Sequence, residues 1–229
     1  MNNYMNMYYG GAYGLVILGL IISLAASANC KLTFSKFKKI KSARGINAEV
    51  VARSILDNVG IHSSIVQCAG DMSDHYSSAE DTVYLSETVY GSNSIAAIGV
   101  AAHECGHAIQ HHTGYAPVNL RQTVIPVADI ASKVSYIIIF LGLVFGWTDL
   151  IGFGAVVFII VVAAQLITLP VEFNASRRAM AILRDGNILE GDELKGAGKV
   201  LTAAALTYVA ALVTSVLQLI RLLSLSKRK

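Results

Sequence analysis

The pattern of apolar and polar positions divides the chain into long uncharged runs and one stretch of ordinary mixed composition. Tyr8 to Ala28 carries no charge and is rich in Leu, Ile, Ala and Gly, about the 20 residues that a spanning helix needs. Val134–Trp147 and Leu150–Leu169 are two further apolar runs, separated by Thr148-Asp149. So short a polar break predicts an antiparallel helical hairpin. The first run has only 14 residues, so it must borrow the turn holding Ser132 and Lys133, with Lys133 reaching back toward water. Val200–Ile220 is a fourth, more polar candidate.

Between the first and second runs, Ala48–Val59 has helical periodicity and is stopped by Gly60. Ile61–Val66 and Thr82–Ser86 read as short strands by their β-branched and aromatic content, and polar Asp71–Asp81 reads as a loop. Ser94–His112 reads as a helix, with Ser94 able to cap its start and Gly114 past its end. The expected organisation is an N-terminal anchor over 1–30 and a soluble α+β region over 31–133. A transmembrane hairpin over 134–169, a polar segment over 170–199 and a last span with a basic tail over 200–229 follow. The fold class is a mainly α membrane protein with about four transmembrane helices.

Composition agrees with this reading. Hydrophobic residues make up 54% and charged residues 14%, against roughly 25% charged in a soluble domain. The net charge of +3 is too small and too dispersed to suggest nucleic acid. Lys31, Lys36, Lys38, Lys39, Lys41 and Arg44 crowd directly behind the first apolar run, which places that flank in the cytoplasm. No Lys or Arg precedes the run, so an uncleaved anchor is preferred to a signal peptide, although Ala26-Ser27-Ala28 resembles a cleavage site. Asn29 argues against a lipoprotein at Cys30. Four spans would put Lys227-Arg228-Lys229 outside, against the positive-inside tendency. Cys30, Cys68 and Cys105 are odd in number and widely spaced, so no disulfide framework or CxxC zinc site is implied.

The chemistry is carried by His103-Glu104-Cys105-Gly106-His107. On a helix, His103 and His107 share a face and can bind one ion, and Glu104 beside them can reach a water on it. This is the HExxH arrangement of zinc proteases. It predicts one zinc per chain and Glu104 as general base in peptide-bond hydrolysis. A third ligand is needed. Glu172, directly after an apolar run, is the preferred candidate, since an acid there is costly without a partner. Asp185, in Leu183-Arg184-Asp185-Gly186, loosely resembles the Leu-Asp-Gly motif of intramembrane site-2 proteases. His111, one turn beyond His107, is a further possible ligand or a solvated helix end.

Ala101–Gln110, Gly114-Tyr115-Ala116-Pro117, Leu169–Arg178 and Ala203–Ala210 together resemble the bacterial YugP-type neutral zinc metallopeptidases. The resemblance covers nearly the whole chain. It implies a multi-pass cell-membrane protein with zinc-dependent peptidase activity, but no particular substrate. A more distant likeness is to the HtpX-type and CAAX prenyl membrane proteases, whose third ligand is a Glu followed four residues later by an Asp that steadies a ligand histidine. Glu172 matches the ligand, and Ser176 stands in place of the Asp, so its role there would be a neutral hydrogen bond. Asp74-His75-Tyr76 also matches the family pattern. Thr82–Ser86 is then expected as the edge strand that pairs with extended substrate, and His75 or Tyr76 as a candidate for stabilising the oxyanion.

The resulting expectation is a membrane metallopeptidase with His103, His107 and Glu172 on zinc. Its site faces the cytoplasm, it acts on a peptide or membrane-protein substrate, and it lies in the lipid bilayer. Two rivals are an intramembrane protease using Asp185, and a non-enzymatic adaptor with structural zinc closed by Cys68 or His75.

Overall fold

The computed structural model describes residues 2–227, with side chains from Gly14 onward; Arg228 and Lys229 of the basic tail lie outside the described residues. The elements are α1 (Asn2–Phe37), α2 (Ala48–Asn58), β1 (Ser64–Cys68), β2 (His75–Ser77), β3 (Thr82–Ser86), α3 (Ile95–His112), α4 (Ala116–Phe145), α5 (Thr148–Asp185) and α6 (Gly191–Ser226). Among the described residues, α1, α4, α5 and α6 are long and apolar enough to cross a membrane. The chain is a mainly α-helical membrane protein with a small α+β region.

Four of the helices stop in the same way. Gly60, Gly114, Gly146 and Asn187 adopt positive φ just past α2, α3, α4 and α5. The next residue's N–H then returns to a carbonyl five residues back, as in Ile61 to Leu56 (2.9 Å), Tyr115 to Gln110 (2.9 Å), Trp147 to Gly142 (2.8 Å) and Ile188 to Leu183 (2.9 Å). This loop satisfies carbonyls that the helix leaves open. It also moves the first strand: Ile61 closes α2 and turns into the core, so β1 begins at Ser64 rather than Ile61.

One compact unit comprises Ala28–Asn119 and Pro170–Leu206. Its core joins Val51, Ile55 and Leu56 of α2, Val83 and Leu85 of β3, Ile98 and Ala102 of α3, and Leu183 and Leu201. The sheet order is β1-β3-β2, with β1 parallel and β2 antiparallel to β3. Two expectations are corrected here. The polar segment Asp71–Asp81 is not all loop, because His75–Ser77 pairs with Thr82–Tyr84. And Thr82–Ser86 is the central strand, so it is not the edge strand. Three residues of polar sequence carry no period that could announce β2; only the partner strand defines it.

α3 starts where expected, with Ser94 Oγ accepting the Ala97 N–H at 3.2 Å. Its small residues permit close helix contact. A Cβ on Gly106 would stand 2.8 Å from the Ala175 carbonyl oxygen, and one on Gly99 would stand 3.3 Å from the Ala197 Cβ.

The second unit holds the chain up to Ser27, Leu120–Leu169 and the chain from Thr207 on. Gly142 abuts Ile151 and Gly154 abuts Ile139. Contacts whose residue numbers run oppositely make α4 and α5 an antiparallel hairpin, as the short break predicted. Ile139, Ile151, Ala155, Phe158 and Leu222 form its buried cluster. Ser23 and Thr214 hydroxyls bond at 2.9 Å, and Thr214 donates to the Gly19 carbonyl at 3.1 Å. Small residues and a few hydroxyl bonds are how helices associate in lipid. Lys133 pairs with Asp129 at 2.6 Å inside α4, whose start at Ala116 makes the short apolar run part of a long helix. Pro170 does not end this helix, because α5 continues through it to Asp185.

Candidate metal centre

α3 and α5 touch at Gly106 and Ala175. Glu172 lies about one turn before Ala175 on α5, and His103 and His107 lie either side of Gly106 on α3. The contact therefore fixes how near these side chains stand. His103 Nε2 and His107 Nε2 are 3.1 Å apart, and Glu172 Oε2 is 3.4 Å and 3.6 Å from them. For tetrahedral zinc with ligands at about 2.0–2.1 Å, ligand atoms stand roughly 3.3–3.4 Å apart. The triangle has those dimensions. Among the described residues these are the His, Cys, Asp and Glu side chains whose donor atoms gather closely enough to hold a metal.

The hydrogen bonds beyond the triangle fix which ring nitrogens carry protons. Arg178 has only donors, so Asn174 Oδ1, 2.8 Å from Arg178 Nε, is an acceptor. Gln110 Nε2 donates to that same oxygen at 3.0 Å and to the Val171 carbonyl at 2.8 Å. The Gln110 oxygen is therefore the atom facing His107 Nδ1 at 3.0 Å. Nδ1 carries the proton of this bond, so in the neutral ring the Nε2 lone pair is aimed into the triangle. His103 Nδ1 lies 3.1 Å from Ser176 Oγ and can be set the same way. Two imidazole lone pairs and a carboxylate oxygen then face one point. This donor set suits zinc, and imidazoles steadied through their far nitrogen are the usual support for a metal ligand.

Glu104 is buried. Burial pushes its carboxyl up, the charges of His103 and His107 pull against this, and those of Glu172 and Asp74 add to it; the balance lies above the usual carboxylate range. Asp74 is pinned to the end of β3, accepting the Ser86 N–H at 2.7 Å and the Ser86 hydroxyl at 3.0 Å.

The other candidates lie elsewhere. Asp185 is the exposed last residue of α5 and accepts from Arg184 Nε at 2.8 Å. His111 Nδ1 is 3.2 Å from the Tyr76 hydroxyl. His75 stacks on Tyr84 and bonds the Ser73 carbonyl; Cys68 Sγ is 3.3 Å from Ser73 Oγ. Neither Cys68 nor His75 joins the triangle. Sequence reasoning gave Gln110 no role, yet it is fully buried. Its signal was its place three residues after His107, hence on the same face. Asn174 was missed because its role exists only through Gln110 and Arg178.

Known proteins bear on this arrangement in two ways. A family described as "Putative neutral zinc metallopeptidase" matches residues 12–227. A relative in Bacillus subtilis (strain 168), "Putative membrane protease YugP", is 42% identical over 208 residues, covering 90% of this chain and 92% of that protein. No solved structure matches. A match over nearly the full length, with a near-complete relative at this identity, leaves one assignment: the chain belongs to the neutral zinc metallopeptidase family.

Proposed function

We propose that the chain is a membrane-embedded zinc peptidase that hydrolyses peptide bonds within a peptide or membrane-protein substrate. His103, His107 and Glu172 bind one zinc, and Glu104 is the general base. The observation that carries this is the convergence of the three donor atoms at 3.1–3.6 Å, with Glu104 buried beside them. Zinc, when bound, supplies Lewis acidity and lowers the pKa of water toward about 7.

The chain's own groups do the rest. Gln110 and Ser176 hold the imidazoles in the tautomer that presents Nε2. Glu104 takes the proton of the attacking water on its carboxylate and passes it to the leaving amine. Its raised pKa helps it hold that proton between the two steps. Three protein ligands leave a coordination position open, as catalytic zinc needs and structural zinc does not. Since β3 is central, extended substrate would pair at an edge strand, β1 or β2. The basic cluster Lys31–Arg44 supports a site on the cytoplasmic side of the cell membrane.

Glu104→Gln tests the role assignment. Hydrolysis of a quenched fluorescent peptide should fall on the order of 100-fold or more while zinc content stays at one per chain. A variant that loses its zinc makes Glu104 a ligand, and one that keeps full activity removes it from the chemistry.

A further inference from the structure

The proposed chemistry leaves a large cavity unused. It measures about 910 Å³ and is an open groove bounded by the end of α1, the part of α5 just beyond Glu172, and the start of α6. Pockets that hold small ligands run from roughly 300 to 1,000 Å³, so this one has room for a sizeable molecule.

Its lining has two chemistries. Phe37, Phe173, Met180 and Leu206 supply an apolar wall. Lys36, Arg177, Lys195 and Lys199 supply four cations, and no Asp or Glu lines the cavity. Lys195 is paired with exposed Asp192 at 3.0 Å, and Asp192 also lies within electrostatic reach of Lys199. Lys36 Nζ sits 5.6 Å from the Phe37 ring centre. Among the described residues, Lys36, Arg177 and Lys199 form no ion pair. Three exposed cations against an apolar wall call for a ligand with a negative head and a hydrocarbon body. The three helices that bound the groove are all long and apolar enough to cross a membrane. Basic pockets between such helices take anionic lipid headgroups.

We propose that this cavity binds one anionic phospholipid. The phosphodiester accepts from the Arg177 guanidinium, whose planar fork matches phosphate oxygens, and from Lys36 and Lys199. The acyl chain lies along Phe173, Met180 and Leu206. Ser176 also lines the cavity and bonds His103 Nδ1, so the bound lipid is one side chain away from the metal triangle. The lipid site itself does not depend on the peptidase reading.

The test uses the full-length, zinc-loaded protein in neutral detergent. Native mass spectrometry follows added phosphatidylglycerol, phosphatidylcholine or glycerol 3-phosphate. One phosphatidylglycerol per chain should bind roughly tenfold or more tighter than phosphatidylcholine. Removing two cations with Arg177→Gln and Lys199→Gln should weaken it roughly 10- to 30-fold. Lys38→Gln with Lys39→Gln, exposed and outside the cavity, should change nothing. In the unmodified protein, phosphatidylglycerol should protect Lys36 and Lys199 from an amine-reactive reagent, and phosphatidylcholine should not. Equal binding of the two lipids, equal loss in the control variant, or no protection of the lysines overturns the proposal. Glycerol 3-phosphate binding as tightly as the lipid makes this a phosphate site and overturns it too. Zinc content, read in the same samples, separates these outcomes from any failure of the metal assignment.

Discussion

Two clusters of histidine and carboxylate lie one turn apart along α3, and only one of them has the form of a metal site. In the first, the Nε2 atoms of His103 and His107 converge on the buried Glu172 carboxylate. In the second, His112 pairs with the half-exposed Asp81, and His111 Nδ1 faces the Tyr76 hydroxyl that donates to Asp81. The Asp81 Oδ1 accepts from the Ser63 hydroxyl at 2.5 Å, the Tyr76 hydroxyl at 2.7 Å and His112 Nε2 at 2.9 Å. Three donors converge on that one oxygen, and among the described residues Asp81, His111 and His112 do not bring donor atoms together closely enough to hold an ion, as the first cluster does. Residue types do not separate the clusters. The direction of each proton does, and at the first site it is imposed from Arg178 through Asn174 and Gln110.

The comparison breaks most sharply at the carboxylates. Glu172→Gln should lower zinc affinity by more than about 100-fold, whereas Asp81→Asn and Asp185→Asn should leave it unchanged; competition against a chromophoric chelator reads all three. Loss of zinc from Asp185→Asn with retention in Glu172→Gln would reinstate the intramembrane-protease reading.

Next come the groups that set proton direction. Gln110→Leu removes the acceptor of the His107 Nδ1–H and should cost roughly 10- to 100-fold in zinc affinity. Ser176→Ala should act the same way through His103, by less, because a neighbouring water can replace one partly buried hydroxyl. Helical content by circular dichroism should hold in both. Gln110→Leu with native zinc affinity would mean the tautomer is set by something else.

The smallest effect is expected at Asp81. Partial burial pushes its carboxyl up, but the bonds from Ser63, His112 and Tyr76 outweigh this and bring it down to about 2. A folded-state pKa below the unfolded value near 3.9 gives stability that is present above pH 4 and lost as pH falls toward 2. Solvent exposure holds the contribution to about 1 kcal/mol or less, or about 2–4 °C in Tm. Zinc-free Asp81→Asn should therefore melt a little below the unmodified protein at pH 6, and the gap should narrow by about half near pH 3 and close below about pH 2. A constant gap would show that Asp81 acts through packing alone.

Much of this was legible in the chain because it is local. The α3 cap at Ser94, the stop at Gly114, the i,i+4 histidines and the four apolar helices each need only neighbouring residues. What escaped is relational. β2 is three polar residues given meaning by β3. The central position of β3 depends on strands from two other segments. Gln110 looks like an exposed helix end until α5 covers it, and Pro170 gave a helix boundary by local rule where α5 in fact runs on.

Gly106 carries one more lesson. The gap between α3 and α5 is set by main chain against main chain, with a Cβ at position 106 only 2.8 Å from the Ala175 carbonyl oxygen. Trimming side chains elsewhere cannot draw the two backbones closer. In engineering terms, position 106 is a one-way shim: any residue placed there opens the donor triangle toward larger ions, and none can tighten it.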